Sequence, residues 1–111
     1  MPAINDTELM LAKAVRDGDM AALRAYLDWL EENGHRPGLR ETIAKTIRNI
    51  DWSFTEAGMK ACYRHNRWSP GKNVAAFMDT VSGKICKAVG IRRAASKVIR
   101  KKVTKQIGSL T

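Results

Sequence analysis

The chain has 111 residues, of which 44% are hydrophobic and 28% are charged. This length is typical of one domain with a modest core, and the composition is too apolar for a chain that is disordered throughout. The net charge of +9 favours a polyanionic partner, and no apolar run approaches the roughly 20 residues that a membrane-spanning helix needs. The first ten residues lack the pattern of a signal peptide, and two cysteines are too few for a disulfide framework. We therefore expect a reduced, soluble, cytoplasmic protein.

The positive charge is concentrated in the second half of the chain. Residues 1–50 hold seven Lys or Arg and eight Asp or Glu, whereas residues 51–111 hold thirteen and three. From Val81 to the end there are nine cationic residues and no acidic one. We expect one domain in which residues 1–50 form an acid-balanced helical scaffold and residues 51–111 form a basic half that binds nucleic acid.

The apolar residues of the first half follow helical spacing, and no stretch alternates as a half-buried strand does. The first predicted helix covers about residues 7–16, and Gly18 is the stop signal that follows it. The second begins after a cap at Asp19 and ends at Gly34, in the left-handed conformation that glycine favours. The third begins after Pro37 and forms an antiparallel hairpin with the second. Its apolar stripe consists of Leu39, Ile43, Ile47 and Ile50.

A fourth helix is predicted from Thr55 to about His65, with Met59, Cys62 and Tyr63 facing inward. Ser69 and Pro70 form the start signal of a fifth helix, and the Ser-Gly pair at 82 and 83 either ends that helix or only weakens it. The sequence thus predicts an all-α fold: a single small domain of five or six helices, built from helical hairpins, with a basic amphipathic helix at the C-terminus.

The stretch YLDWLEENGHRPGLRETI, residues 26–43, resembles the YADWLEERGDPR signature of the repeat-companion helical domains of planctomycete and myxobacterial proteins. The shared residues are Tyr26, Asp28, Trp29, Leu30, Glu31, Glu32 and Gly34, with Arg36 and Pro37 in inverted order. Leu27 stands where that family has a small Ala, and His35 where it usually has Asp. The resemblance implies a helix-loop-helix unit and no activity. The same residues are also explained as an amphipathic helix whose Trp29 packs at the edge of the domain.

Residues 92–107, RRAASKVIRKKVTKQI, contain seven cationic side chains and no acidic one. A helix over 91–107 would place an apolar arc opposite a cationic arc, with Arg92 and Lys102 projecting into the apolar side. A solvated helix face usually mixes Lys with Glu in i,i+4 pairs, so we expect an external anion to compensate this charge. The apolar arc consists of Ile91, Ala95, Val98, Ile99, Val103 and Ile107, and the cationic arc of Arg93, Lys97, Arg100, Lys101, Thr104 and Lys105.

This basic segment has three interpretations. A helix that grips phosphates needs only the charge, and we favour it. A helix-turn-helix is indicated by Gly90 at a turn between apolar residues, although Ser96 stands where that motif usually has an apolar side chain. A membrane-surface helix usually buries Trp, Phe or Leu, whereas this segment offers Ile, Val and Ala. We do not expect a membrane as the partner.

A second cluster interleaves aromatic and cationic residues between positions 51 and 72. Aromatic side chains among cations can stack unpaired bases while Arg and Lys hold phosphates. We nevertheless expect these aromatics to fill the core of a small helical domain, with Trp68 as the most exposed of them. The aromatics are Trp52, Phe54, Tyr63 and Trp68, and the cations are Lys60, Arg64, Arg67 and Lys72.

Residues that would support catalysis or metal binding are sparse. Cys62 and His65 have a C-x2-H spacing, but a structural zinc site normally needs four ligands, and only Cys86 and His35 are left to supply the others. The sequence contains no phosphate-binding glycine motif. We expect no enzyme activity, no cofactor, no metal and no small-molecule substrate.

The predicted function is binding of DNA or RNA, mainly through phosphate contacts, as a small subunit of a nucleoprotein assembly or as a small regulator. Trp68 and Trp29 are candidates for base stacking or protein contact. The alternative is an adaptor or inhibitor that docks its basic face on an acidic partner protein, which an exposed aromatic patch would favour. The predicted contacts are Arg92, Arg93, Lys97, Arg100, Lys101 and Lys105 on the last helix, with Arg64, Arg67 and Lys72 as a second patch.

Overall fold

The computed structural model describes residues 5–66 and 70–110, which form six α-helices, one short π-helix and no strand. The all-α fold predicted from the sequence is therefore confirmed, and the domain is single and small. In chain order the elements are α1 (Asp6–Arg16), α2 (Met20–Asn33), α3 (Pro37–Ser53), α4 (Glu56–Ala61), the π-helix Cys62–Asn66, α5 (Pro70–Val89) and α6 (Ser96–Leu110).

Local capping residues set the start of α1 and both ends of α2. Asn5 accepts a hydrogen bond from the Thr7 amide at 2.8 Å, and Asp19 accepts one from the Ala21 amide at 3.0 Å. Each cap satisfies a backbone donor that has no partner inside its helix. Gly34 ends α2 with a φ of 61°, a conformation that side chains with a Cβ rarely adopt. These boundaries match the predicted ones.

The long helix α5 lies at the centre of the bundle and packs against α1, α3 and α6. Arg24 near the start of α2 pairs with Asp51 near the end of α3, so these two helices run antiparallel as predicted. The N-terminal helices and the basic C-terminal helix therefore share one core. Its fully buried side chains include Leu23, Tyr26, Leu30, Ile43, Met78, Ile85, Ile99 and Val103.

A buried carboxylate ties three parts of the fold together. Glu8 on α1 is 2% exposed and accepts hydrogen bonds from the Tyr26 hydroxyl and from Nε of Arg36, both at 2.7 Å. Arg36 also donates to the carbonyl of Ala88 near the end of α5, at 3.1 Å. Burial raises the pKa of Glu8, but the hydrogen bonds from Arg36 and Tyr26 outweigh it and hold that pKa below its ordinary value.

This network explains much of the stretch from 26 to 43. Burial and the hydrogen bond to Glu8 raise the pKa of Tyr26, which therefore stays a neutral donor. Trp29 is half-buried, and its ring meets the edge of His35 at a centroid distance of 5.6 Å. The predicted position of Trp29 at the domain edge is confirmed.

The fourth helix differs from its prediction in length and in orientation. It ends at Ala61, and the π-helix follows. Met59 and Tyr63, which were expected to face inward, are 39% and 62% exposed, whereas Cys62 is buried as expected. The reason is Gly58: a Cβ there would lie 1.9 Å from the backbone oxygen of Trp52, so the glycine face of α4 crosses the end of α3 in close contact.

The C-terminal third also departs from the expected boundaries. The Ser-Gly pair at 82 and 83 does not end a helix, because α5 continues to Val89. Gly83 instead leaves room for a cation, since a Cβ there would lie 2.8 Å from Nη1 of Arg93. The last helix begins at Ser96, five residues later than expected, and Val98 is 58% exposed although it was assigned to the apolar arc. Ile99 and Val103 are buried as predicted.

We predict that Gly58→Ala destabilises the protein by about 1–3 kcal/mol, the usual cost of an overpacked contact. The methyl group meets backbone atoms of α3, which cannot rotate away as a side chain would. Gly38→Ala is the matched control, because it lies in the first turn of α3 with no atom within 4 Å of its Cβ position. Urea denaturation of both variants measures the difference, and equal stabilities would contradict the close contact.

Candidate nucleic-acid interface

The outward face of α6 carries most of the cations that the sequence singled out. The helix is held to the bundle by Ile99 and Val103, which are fully buried. Every cationic side chain on α6 is exposed, and they are Lys97, Arg100, Lys101, Lys102 and Lys105. Because the apolar face of α6 is occupied by the core, it is not available to insert into a lipid surface.

The segment between α5 and α6 is anchored by a carboxylate that sequence reasoning missed. Asp79, in the middle of α5, is 5% exposed. It accepts hydrogen bonds from Nη2 of Arg93, from the Ser96 hydroxyl at 3.0 Å, and from Nε of Arg100 at 3.2 Å. A signal was present in the sequence, since Asp79 is the only acidic residue after Glu56.

The cluster of Asp79, Arg93, Ser96 and Arg100 carries a net positive charge. Burial raises the pKa of Asp79, but the hydrogen bonds from Ser96, Arg93 and Arg100 prevail and hold that pKa below its ordinary value. One carboxylate therefore meets two guanidinium groups, and the side chains of Arg93 and Arg100 remain 46% and 48% exposed. The cluster fixes both arginines in place and still presents a net positive charge to solvent.

The two predicted basic patches are partly one surface. Lys72, at the start of α5, lines a groove together with four residues of α6, namely Arg100, Lys101, Thr104 and Lys105. On the other side of α6, Val98, Lys102 and Gln106 line a second depression, to which Lys101 and Lys105 also contribute. We call the surface formed by Lys72, Lys97, Arg100, Lys101, Lys102 and Lys105 the basic face.

Other predicted contacts lie elsewhere. Arg64 is exposed on the π-helix, beside Glu56, Lys60 and Tyr63, and does not line either depression that flanks α6. Arg92 is exposed in the segment between α5 and α6. The predicted contacts Arg67 and Trp68 lie outside the residues that the structure describes. Trp29 packs on His35 and is only half-exposed, so it offers little surface for base stacking.

The expectation that the aromatics between 51 and 72 fill the core is wrong for the three that the structure describes. Trp52 is 51% exposed, Phe54 is 39% exposed and Tyr63 is 62% exposed. The close crossing at Gly58 accounts for Tyr63, which follows α4, whereas Trp52 and Phe54 belong to the end of α3. Tyr26, in contrast, is fully buried.

The helix-turn-helix interpretation needs correction. Gly90 does turn the chain, with a φ of 78°, but residues 91–95 then run outside any helix before α6 begins. Arg93 therefore lies in the connection and binds Asp79, instead of standing on a recognition helix. Ser96 is polar because its hydroxyl also binds Asp79. The three- to four-residue turn of that motif is not present here.

The described residues contain no group of three or more His, Cys, Asp or Glu side chains that is arranged to hold a metal ion. Across the same residues, no helix is both long enough and apolar enough to cross a membrane. Comparisons with protein-family models, curated proteins and solved structures give no match for the chain. The resemblance of residues 26–43 to a known signature therefore stays a prediction.

Proposed function

We propose that this protein binds nucleic acid by contacting phosphates with the basic face. The observation that carries the proposal is the exposed cationic surface of α6, which Lys72 of α5 extends across a shared groove. No acidic residue follows Asp79 in the sequence, and Asp79 itself is buried under Arg93 and Arg100. Among the described residues, Lys97, Lys101 and Lys102 take part in no salt bridge, so their charge is left for an external anion to neutralise.

Phosphate contacts suit this surface better than base reading. Neutralising phosphates releases condensed counterions, which favours binding without any sequence pattern. The amide side chains that read adenine are absent from the outward side of α6. Gln106, the only amide side chain on this helix, binds the backbone of Gly18 and of Met20 instead. A small subunit that lines a nucleic-acid path fits this chemistry better than a sequence-specific regulator does.

The test is binding of labelled DNA and RNA, measured by fluorescence anisotropy over a range of salt concentrations. We expect the triple variant Lys97→Gln, Lys101→Gln, Lys102→Gln to bind duplex DNA with a shallower dependence of log affinity on log salt. Each lost phosphate contact lowers the slope by about 0.9 on duplex DNA, so three lost contacts lower it by about 2.7.

A second triple variant with the same net charge is the control. Lys13→Gln, Lys45→Gln, Arg48→Gln removes three exposed cations from α1 and α3. We expect this variant to keep the wild-type slope, because its cations lie outside the basic face. A slope that falls equally in both variants would show that only net charge matters. Absence of binding to any nucleic acid at low salt would overturn the proposal.

A second candidate function is favoured by the exposed side chains of Trp52, Met59 and Tyr63. Aromatic anchors concentrate binding energy in protein interfaces, so this surface suits a protein adaptor or inhibitor. In that case the basic face would dock on an acidic partner protein. The test is competition against labelled nucleic acid. If poly-glutamate displaces the label as effectively as unlabelled nucleic acid of equal charge concentration, this second candidate is favoured.

A further inference from the structure

We infer that the ligand of the basic face is double-stranded DNA and that α6 lies in its major groove. This inference rests on the proposed function and adds the class of nucleic acid and the docking geometry. It follows from the arrangement of side chains around α6, from the fit of that arrangement to the grooves of duplexes, and from the anchoring of the helix.

The outward side of α6 has a central row of side chains, which we call the ridge, and a cationic flank on each side of it. At 100° per residue, the direction opposite the buried Ile99 and Val103 is occupied by Lys101, with Lys97 and Lys105 on either side of it. Arg100 stands on one flank, where Lys72 of α5 faces it across the first groove. The other flank carries Lys102, which lines the second depression. Cations are therefore present on both sides of the ridge.

Two cationic flanks match two rows of phosphates. The major groove of B-form DNA is about 12 Å wide and is bordered by a phosphate backbone on each side, and it admits an α-helix. The major groove of A-form RNA is deep and narrow and does not admit side chains, while a single strand offers one row of phosphates. A surface meant for one strand would need cations on one side of α6 only.

The helix is fixed on its inner side, so that it can enter a groove as a rigid element. The Gln106 side chain accepts a hydrogen bond from the amide of Met20 at 3.0 Å and donates one to the carbonyl of Gly18. At the opposite end, Ser96 and Arg100 bind Asp79 of α5. Both ends of α6 are thereby attached to the bundle through side chains that lie off the ridge.

The side of the ridge that borders the first groove is tested by a neutral, bulky substitution at Thr104. Thr104 is exposed, and its hydroxyl donates only to the Arg100 carbonyl of its own helix. Thr104→Trp leaves the charge unchanged and blocks entry into a groove. Ala25→Trp, at an exposed position of α2, is the matched control. Both variants and the wild type are titrated with duplex DNA, duplex RNA and single strands of equal length and salt.

We expect the wild type to bind duplex DNA about tenfold or more tightly than duplex RNA, and Thr104→Trp to lose that preference while Ala25→Trp keeps it. Equal affinity for duplex RNA or for single strands would overturn the inference and leave the proposed function standing. No binding to any nucleic acid would overturn both. Circular dichroism establishes that the variants are folded.

A measurement on the wild type keeps the inference testable if Thr104→Trp does not fold. Methyl green occupies the major groove of DNA, and distamycin occupies the minor groove. We expect methyl green to displace the protein from duplex DNA and distamycin to leave it bound. Displacement by distamycin alone would overturn the inference.

Discussion

Replacing Arg36 with methionine is expected to lower the free energy of unfolding by about 3 kcal/mol, the lower end of the range for breaking a buried ion pair. The substitution keeps most of the aliphatic stem and removes the guanidinium group that faces Glu8 at 2.7 Å. Glu8 then remains as a buried charge with Tyr26 as its donor. The lower end applies because the Arg36 side chain is 34% exposed. Urea denaturation at neutral pH measures the loss.

A double-mutant cycle separates the ion pair from general damage to the loop. Glu8→Gln removes the buried charge, so adding Arg36→Met to it is expected to cost less than Arg36→Met alone in the wild type. Gly38→Ala, in the adjacent first turn of α3, controls for nonspecific effects on this region. If the losses in free energy of unfolding are additive in the cycle, Glu8 and Arg36 do not stabilise the fold through their ion pair.

Local signals in the sequence predicted most helix boundaries. Asp19 and Gly34 act on backbone groups within a few residues, so their effect is readable without the fold. The apolar stripes of α2 and α3 were readable for the same reason, since helical spacing needs only the neighbouring turns. Helical periodicity alone also separated the buried Ile99 and Val103 from the cations of α6.

Contacts between distant residues were not readable in this way. Arg36 reaches Glu8 across 28 positions, and Arg100 reaches Asp79 across 21. The crossing at Gly58 depends on how α4 meets α3, which periodicity does not specify, and it reverses the burial expected for Met59 and Tyr63. Gly58 is the contact point of that crossing.

In the candidate site, too, local features were predicted from the sequence and contacts between distant residues were not. Composition located the cations on α6, but it treated Arg93 and Arg100 as equivalent to Lys97 and Lys101. The structure separates the two kinds, because the arginines bind Asp79 while the outward lysines form the ridge. Asp79 thus neutralises part of the positive charge of the basic face. It also holds the start of α6 in a fixed position on α5. Asp79 therefore links the stability of the fold to the position of the proposed binding surface.

This role of Asp79 predicts a pH-dependent effect of Asp79→Asn. The charged hydrogen bonds to Asp79 are expected to contribute about 2 kcal/mol at neutral pH, a moderate value because both arginines are about half-exposed. Since folding lowers the pKa of Asp79, this stabilisation is complete above its ordinary value of 3.8 and is lost as the pH falls through the folded-state pKa.

The gap in stability between the wild type and Asp79→Asn is therefore expected to narrow as the pH falls below about 3.8. The pKa of Glu8 is also lowered by folding, but Glu8 is present in both proteins, so its acid-dependent loss cancels in the difference. Urea denaturation at a series of pH values measures the gap, with Asp28→Asn, an exposed position on α2, as the control. A gap that stays constant or widens toward acid would mean that the Asp79 carboxylate does not hold α6 through its charge.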